Sequence, residues 1–274
     1  MEQMKEWKKE FSQQIELFFN ENKQSQEELD IKMKVMSRIE EIIERAVPNV
    51  QLRLYPYGST TNCCGAKDSD IDIYMKATTR RQRKHFLNGI LGFLELMKAQ
   101  LTKEFGSDFK ELELRNAAVP IINIIFGDKI DSRFAKLGLL IKSWAEKNKI
   151  YGSDNGGMNG ISYLVMLVHY LQKGASPPVL PNLQSCIPMS FVSDAIWKRS
   201  SSKNESSVVD LLIGFFKYYS NFSWRTEKIT MDEDLFMKRG KRNKDNIFVK
   251  DPYGSPNLAK LYIEKNDKVN TLVD

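Results

Sequence analysis

The architecture of this chain can be read from two short segments, Tyr57-Gly58-Ser59 and Lys67-Asp68-Ser69-Asp70-Ile71-Asp72-Ile73. The second segment alternates acidic and apolar residues, which is typical of a half-buried β-strand. Because side chains two apart on a strand point to the same face, Asp70 and Asp72 are predicted to present paired carboxylates. The isoleucines that follow each of them are then predicted to face the core.

Paired carboxylates of this kind suit divalent metal ions. Mg²⁺ prefers one or two carboxylates together with phosphate oxygens, and two such ions about 4 Å apart can clamp an in-line phosphoryl displacement. Gly58 lets the backbone approach a phosphate closely, and Ser59 is placed to hydrogen-bond it where a helix start offers N–H groups. The two segments together predict a site for a nucleoside triphosphate and metal.

Other phosphate and metal motifs do not fit. Gly58 and the segment Gly65-Ala66-Lys67 lack the spacing of a P-loop. The aspartates at positions 68, 70 and 72 lack the glycine and the later glutamate of an EF-hand loop. The cysteines form no C-x-x-C pair and no cluster with a histidine, which argues against a zinc site or a disulfide framework.

The rest of the chain predicts helices around a small sheet. Apolar residues at helical or alternating spacing predict elements on both sides of the two motifs, and from Arg133 onward the pattern is almost entirely helical. The predicted elements are helices at residues 5–22, 27–46, 81–104, 134–144, 161–171 and 208–219, and strands at residues 51–55, 71–75 and 118–126.

Composition places the chain among globular proteins. It has 274 residues, 41 Lys and Arg against 35 Asp and Glu, a net charge of +6, and 42% hydrophobic residues. This excludes global disorder and allows one large or two small domains. The longest nearly apolar run, residues 161–171, is far shorter than the roughly 20 residues of a membrane span, and the first residues lack a signal-peptide apolar region. We therefore expect a cytoplasmic or nuclear protein that binds no membrane.

Two basic clusters, at residues 80–84 and 238–250, are candidates for RNA contact. Such clusters attract phosphate backbones without reading sequence, although they are equally typical of solvated loops. No RNA-recognition module is visible in the sequence. An RNA partner, no DNA, and a partner protein that selects the RNA target are expected from the family resemblance described next, and the basic clusters are compatible with them.

With these motifs in place, the chain resembles the DNA polymerase β-like nucleotidyltransferase superfamily. Within it, the chain resembles the enzymes that tail RNA without a template, the cytoplasmic-type poly(A) polymerases and terminal uridylyltransferases with a PAP-associated domain. The resemblance spans about residues 55–258. It is carried by Tyr57-Gly58-Ser59 with Asp70-Ile71-Asp72, by Val119-Pro120-Ile121-Ile122, by residues 137–144 with Gly160-Ile161-Ser162-Tyr163, and by residues 177–184 with Asp251-Pro252-Tyr253.

The resemblance implies an α+β fold with two domains. A small mixed β-sheet, the nucleotidyltransferase palm or catalytic domain, is expected at residues 48–131. A mainly helical central domain, the PAP-associated domain, is expected from residues 1–47 and 132–274.

The resemblance also implies roles for single residues, which fall into metal binding and nucleotide binding. Asp70 and Asp72 would hold two Mg²⁺ or Mn²⁺ ions. The triphosphate and base would be bound by Gly58, Ser59, Lys142, Ser162 and Tyr163, with Lys142 on the triphosphate, Ser162 on a phosphate and the ring of Tyr163 stacked on the base.

Three positions depart from the family pattern. The family needs a third catalytic carboxylate, yet the connection from Phe126 to Arg133 is much shorter than usual, so Asp131 is expected to be this carboxylate, with Asp128 as the second choice. Asp131 also resembles the residue that opens the following helix. Glu146 stands where many relatives carry a phosphate-binding lysine, and no histidine follows Asp251-Pro252-Tyr253, which favours ATP over UTP as donor.

The resulting hypothesis is a template-independent RNA 3′-terminal nucleotidyltransferase. It would add AMP, or less favourably UMP, to RNA 3′ ends by a two-metal mechanism and release pyrophosphate. The alternative is a catalytically defective homologue or shortened isoform that acts as an RNA-binding or partner-complex subunit. A weaker third hypothesis is nucleotide transfer to a small molecule.

Overall fold

The computed structural model describes residues 2–46, 52–61, 63–77, 99, 103, 131–152, 157–180, 203–224, 226–231, 247–250 and 257–259. Several predictions from the sequence lie outside these residues. They are most of the helix at 81–104, the strand at 118–126, Asp128, the segment Asp251-Pro252-Tyr253 and both basic clusters except Lys250.

The chain divides into two compact units. One comprises Met1–Lys23 together with Phe126–Asp274, and the other comprises Gln24–Ile125. The described elements, in chain order, are α1 (Glu2–Asn22), α2 (Gln26–Ala46), β1 (Leu52–Tyr57), β2 (Asp72–Ala77), α3 (Ser132–Lys147), α4 (Gly160–His169) and α5 (Val208–Ser220). The prediction of a domain boundary near residue 48 stays a prediction, and α2 lies in the unit that holds the strands.

The unit at Gln24–Ile125 is built on a β-hairpin packed against α2. The strands β1 and β2 pair antiparallel, with Leu52 opposite Ala77 and Tyr57 opposite Asp72. One face of the hairpin carries Leu52 and Leu54, which form a buried core with Ile42 and Ile43 of α2. The partly buried side chains packed against that core are Met36, Ile39, Ile73 and Met75.

A capping box fixes the start of α2. The hydroxyl of Ser25 accepts from the backbone N–H of Glu28, and a carboxylate oxygen of Glu28 accepts from the N–H of Ser25. Each side chain thereby satisfies an N–H group that the first helical turn leaves unpaired. This reciprocal pair stabilises the first turn of α2.

The described elements of the second unit are helices, and segments between and after them form isolated β-bridges. Helices α3, α4 and α5 each have an N-cap residue whose side chain accepts a hydrogen bond from a backbone N–H of the first turn. These N-cap residues are Asp131, Asn159 and Ser207 respectively. Their apolar faces form one buried core. Helix α1 is tied to this unit by ion pairs of Lys8 with Asp210 and of Glu16 with Lys136.

Buried polar contacts anchor the end of α4. The Nδ1 atom of His169 lies 2.7 Å from the carbonyl oxygen of Thr230, so Nδ1 donates, and Nε2 accepts from the hydroxyl of Tyr218 at 3.0 Å. Burial lowers the pKa of His169 to about 4, which keeps this ring neutral at pH 7. A π-helical turn, Tyr170–Gly174, continues α4 beyond His169.

The α+β class with a small sheet is confirmed, and the described strands form an antiparallel pair. The predicted helices before β1 and after Arg133 are also confirmed, with ends shifted by a few residues. In the part of the chain that the structure describes, no helix is both long enough and apolar enough to cross a membrane.

Candidate active site

The hairpin brings Asp72 and Gly58 together. Tyr57 ends β1 and pairs with Asp72, the first residue of β2, so Gly58 follows directly beside the aspartate. Gly58 has a φ of 62° and opens a single 3-10 turn, Gly58–Thr60. The backbone N–H of Asp72 lies 3.4 Å from the hydroxyl of Thr60, a side chain that is 3% exposed. The motif around Gly58 therefore packs directly on the predicted metal-binding residue.

The placement of Asp70 differs from the sequence prediction. Strand β2 begins at Asp72, so Asp70 lies in the loop directly before it and the two aspartates do not share a strand. Asp70 is exposed, and its backbone carbonyl accepts from the Lys32 ammonium at 3.3 Å. Both isoleucines are partly buried, and Ile73 packs against the core as predicted. The strand starts late because β1 ends at Tyr57 and offers Asp70 no partner.

Helix α2 holds the loop that carries Asp70. The second carboxylate oxygen of Glu28 accepts from the backbone N–H of Asp68 at 3.0 Å, and Lys32 donates to the hydroxyl of Ser69 at 2.9 Å. These contacts lie one helical turn apart and face the same loop. The backbone N–H groups of Ser25 and Asp68 hold the pKa of Glu28 below its ordinary value. An ionised Glu28 thus joins the start of α2 to the loop just before the candidate metal site.

The substitution Gly58→Ala is expected to lower catalytic activity about 100-fold, because a displacement of about 1 Å in a reacting group can cost that much. An added Cβ would overlap Oδ2 of Asp72, and the φ of 62° is unfavourable for any L side chain. The carboxylate or the turn must therefore shift. Steady-state kinetics would measure the effect, with Thr61→Ala, at the residue directly after the turn, as a control. Equal activity of Gly58→Ala and Thr61→Ala would contradict this placement.

Lys142 lies on α3 in the helical unit. Its ammonium is 3.8 Å from Oε1 of Glu146, one turn along the helix, and 5.6 Å from the centre of the Tyr151 ring. The side chain is 23% exposed. A bound triphosphate would thus compete with Glu146, whose own position departs from the family pattern.

Ser162 and Tyr163 are buried near the start of α4. The hydroxyl and the backbone N–H of Ser162 both donate to Oδ1 of Asn159, at 2.7 and 2.8 Å. The hydroxyl of Tyr163 donates to the carbonyl of Ile150 at 2.8 Å, and burial raises the pKa of this hydroxyl. Their predicted contacts with nucleotide stay predictions.

The ring of Tyr163 is 3% exposed and is stacked on Tyr151, with ring centres 6.1 Å apart and an angle of 13° between planes. A base can therefore stack on Tyr163 only after a neighbouring side chain moves, and Tyr151 is the stacked neighbour that the structure shows. Tyr151 contacts both Tyr163 and Lys142, so it links the two residues predicted to bind nucleotide.

Asp131 has the second of the two roles that the sequence allowed. It is the N-cap of α3, where Oδ1 accepts from the backbone N–H and from Nε of Arg133, both at 2.9 Å. Its other oxygen, Oδ2, lies 2.6 Å from Nη2 of Arg133. Both carboxylate oxygens are thus engaged by one guanidinium, which a metal ion would have to displace. The expected role as third catalytic carboxylate stays a prediction, and this geometry does not favour it.

The side chains around Asp72 supply part of what a divalent metal ion requires. Within the described residues, no three His, Cys, Asp or Glu side chains are grouped closely enough to hold a metal ion. Asp70 and Asp72 nevertheless supply two carboxylates at one end of the hairpin, and Mg²⁺ is commonly held by one or two carboxylates together with substrate phosphates. The residues present fit a metal ion that is completed by a bound triphosphate.

Two family models match parts of this chain. Residues 11–130 match the family model for the central palm domain of poly(A) RNA polymerase, mitochondrial-like, and residues 207–264 match the Cid1 family poly A polymerase model. Both models describe poly(A) polymerases, and the two matched segments lie on either side of α3 and α4. The first match covers both motifs of the hairpin, and the second begins at Ser207, the N-cap of α5.

The chain is similar to the poly(A) RNA polymerase GLD2 of Rattus norvegicus, with 28% identity over 311 residues. The alignment covers 95% of this chain and 62% of the relative, so the chain spans about three-fifths of the length of that protein. The alignment is longer than the 274 residues of this chain, which means that GLD2 carries residues that this chain lacks.

Solved structures show the same fold. The Cid1 poly(U) polymerase, in its H336N mutant bound to MgATP, matches with a TM-score of 0.76 and 22% identity, over 97% of this chain and 91% of that one. A cytoplasmic RNA terminal U-transferase matches with a TM-score of 0.69 and 24% identity, over 89% of this chain and 84% of that one. These likenesses establish the Cid1-type fold.

Several site-supporting residues were missed by the sequence analysis. Ser25 and Glu28 have the spacing of a capping box, so a search for helix starts would have found them. Asn159 precedes Ser162 by three residues, which is also an N-cap signal. No local signal identifies Lys32 or Tyr151, because their contacts join residues that are distant in sequence or depend on tertiary packing.

Proposed function

We propose that this chain is a template-independent RNA 3′-terminal nucleotidyltransferase that transfers AMP from ATP to the 3′ end of RNA. The observation that carries the proposal is the placement of Asp72 over Gly58 at the end of the hairpin, with Asp70 in the loop just before it. The matches to two poly(A) polymerase family models support the reaction class, and the curated relative named above is a poly(A) RNA polymerase.

The proposed reaction joins the RNA 3′-hydroxyl oxygen to the α-phosphorus of ATP. The bond from the α-phosphorus to the oxygen that bridges the α- and β-phosphates breaks, pyrophosphate leaves, and the hydroxyl proton is released to solvent. Asp70 and Asp72 would hold Mg²⁺ or Mn²⁺, which supplies charge neutralisation for the phosphates and lowers the pKa of the attacking hydroxyl. Gly58 admits the triphosphate close to the backbone, and the hydroxyl of Ser59 donates to it.

The remaining nucleotide contacts are proposed for the helical unit. Lys142 leaves its ion pair with Glu146 and binds the triphosphate instead, because the triphosphate carries more negative charge than one carboxylate. Tyr163 stacks on the base once Tyr151 has moved aside. ATP is favoured over UTP because no histidine follows Asp251-Pro252-Tyr253. A partner protein that selects the RNA, and a cytoplasmic or nuclear location, are parts of the same proposal.

The proposal is tested by incubating the purified protein with a 5′-labelled oligoadenylate, Mg²⁺ or Mn²⁺ and each of the four NTPs in turn. A ladder of longer products with ATP, and weaker extension with UTP, is the expected result. A folded protein that binds the RNA but extends it with none of the four NTPs would contradict the proposal and support a role without catalysis. Labelling of a small molecule instead of RNA would contradict it as well.

A further inference from the structure

The outward face of the β-hairpin carries two aromatic and two cationic residues. Tyr55 of β1 pairs with Tyr74 of β2, and the next pair on the same face is Arg53 with Lys76. We call these four residues the tyrosine face. Because side chains alternate along a strand, these four positions are on the opposite face from the apolar residues of the hairpin that pack on α2.

The two tyrosine rings are open to solvent. Tyr55 is 42% exposed and Tyr74 is 40% exposed, and their ring centres lie 6.4 Å apart with an angle of 32° between the planes. Exposed aromatic residues placed opposite each other on a small sheet provide flat surfaces on which unpaired bases can stack.

The neighbouring pair puts two like charges opposite each other. Directly opposed like charges destabilise an antiparallel sheet. Arg53 lies 3.5 Å from Glu40 of α2, which offsets part of the repulsion, but the Arg53 side chain remains 61% exposed. An anion bound between Arg53 and Lys76 would remove the remaining repulsion between these two side chains.

The tyrosine face is continuous with the candidate metal site. Asp72, Tyr74 and Lys76 alternate along β2, so all three lie on one face, with steps of roughly 7 Å between them. A polymer strand whose end lies at Asp72 therefore passes, counted from that end, the tyrosine pair first and the cationic pair second. This order suits a polymer in which bases and phosphates both need partners.

We propose that the tyrosine face binds the last nucleotides of the acceptor RNA as a single strand. Two bases stack on Tyr55 and Tyr74, Arg53 and Lys76 bind the phosphates upstream, and the 3′-hydroxyl points toward Asp72. Only this last feature, the direction of the strand, rests on the proposed function. Stacking does not distinguish the bases, so the face holds RNA ends of any sequence. A duplex is excluded as occupant because its bases are already stacked on each other.

The test measures RNA binding without catalysis. Fluorescence anisotropy of a labelled decaadenylate is recorded in EDTA and without NTP, using the full chain. The variant Tyr55→Thr/Tyr74→Thr removes both rings and keeps residues that favour strands. It is expected to weaken binding about 10- to 100-fold, which is the scale of losing stacking on one or two bases. Tyr55→Phe/Tyr74→Phe keeps the rings and is expected to bind within about twofold of the unmodified protein.

A matched control comes from the other unit. Trp7 on α1 is an aromatic residue with a similar exposure of 45%, and Trp7→Ala is expected to leave RNA binding unchanged. The variant Arg53→Gln/Lys76→Gln is expected to reduce the slope of log affinity against log salt by about 1.4, since each single-strand phosphate contact contributes about 0.7.

Binding by Tyr55→Thr/Tyr74→Thr equal to that of the unmodified protein would overturn the proposal. A loss in Tyr55→Phe/Tyr74→Phe as large as in the threonine variant would also overturn it, because ring stacking would then not be the cause. If the tyrosine face binds RNA as expected but no NTP is transferred, the proposed function fails and the binding face stands. If the unmodified protein transfers NTP to RNA but Tyr55→Thr/Tyr74→Thr binds RNA normally, the binding proposal fails and the proposed function stands.

Discussion

Asp70→Asn is expected to reduce ATP-dependent extension of RNA by about 1000-fold, since a metal ligand contributes several kcal/mol to the transition state and each 1.36 kcal/mol is a factor of ten. The amide keeps the size of the side chain and removes the charge that a divalent ion requires. Asp70 is exposed and lies before β2, so the stability of the fold should hardly change. Single-turnover extension at saturating ATP measures the loss directly.

The matched control for this prediction is Asp68→Asn. Asp68 lies in the same loop, is exposed, and has a φ of 56°, which asparagine adopts as readily as aspartate. Its backbone N–H binds Glu28, and that contact survives the substitution. Extension by Asp68→Asn should equal that of the unmodified protein. Equal losses in both variants would mean that charge in the loop, and not a metal ligand, explains the effect.

Asp131→Ala is expected to lower the free energy of unfolding of the helical unit by about 2 kcal/mol, which combines the loss of an N-cap with an unpaired, half-buried guanidinium. Arg133 would keep its contacts with Asn204 and Ser206, at 3.2 and 2.7 Å, but would lose its counter-ion. Urea unfolding followed by tryptophan emission measures the effect, because Trp7, Trp144 and Trp224 all lie in this unit. Asp131→Asn keeps an acceptor for the N-cap and should lose less.

The loss of stability in Asp131→Ala is expected to depend on pH. Burial alone would raise the pKa of Asp131, but hydrogen bonds and the charge of Arg133 outweigh it and hold the pKa below the ordinary value of 3.8. The contribution of the ion pair is therefore fully present above about pH 4 and is lost as the pH falls through the lowered pKa. The difference in stability between the unmodified protein and Asp131→Ala should shrink below pH 4. A difference that stays constant down to pH 2 would contradict the ion pair.

Local signals were sufficient for much of the fold. The alternation around Asp72 predicted β2, and apolar spacing predicted α1, α2 and the helices after Arg133, because each pattern is set by neighbours along the chain. The Gly58 motif was also predicted to lie beside the aspartates, and the pairing of Tyr57 with Asp72 places it there.

The parts that could not be predicted depend on contacts between distant residues. The start of β2 at Asp72 depends on where β1 ends, and the burial of Tyr163 depends on Tyr151 and Ile150. By sequence Asp131 resembles both a strand carboxylate and a helix start, and its ion pair with Arg133 was not predicted because no local pattern fixes the orientation of that side chain. The tyrosine face likewise exists only because the hairpin register sets Tyr55 opposite Tyr74.

The central claim is that catalysis resides at Asp70 and Asp72, while Asp131 caps a helix. The most direct test compares extension of a labelled oligoadenylate, with ATP and Mg²⁺, by the unmodified protein, by Asp70→Asn and by Asp131→Asn on one denaturing gel. Extension by the unmodified protein and by Asp131→Asn, with none by Asp70→Asn, is the predicted result. Loss of extension in Asp131→Asn as complete as in Asp70→Asn, from folded protein, would contradict the claim and make Asp131 a catalytic carboxylate.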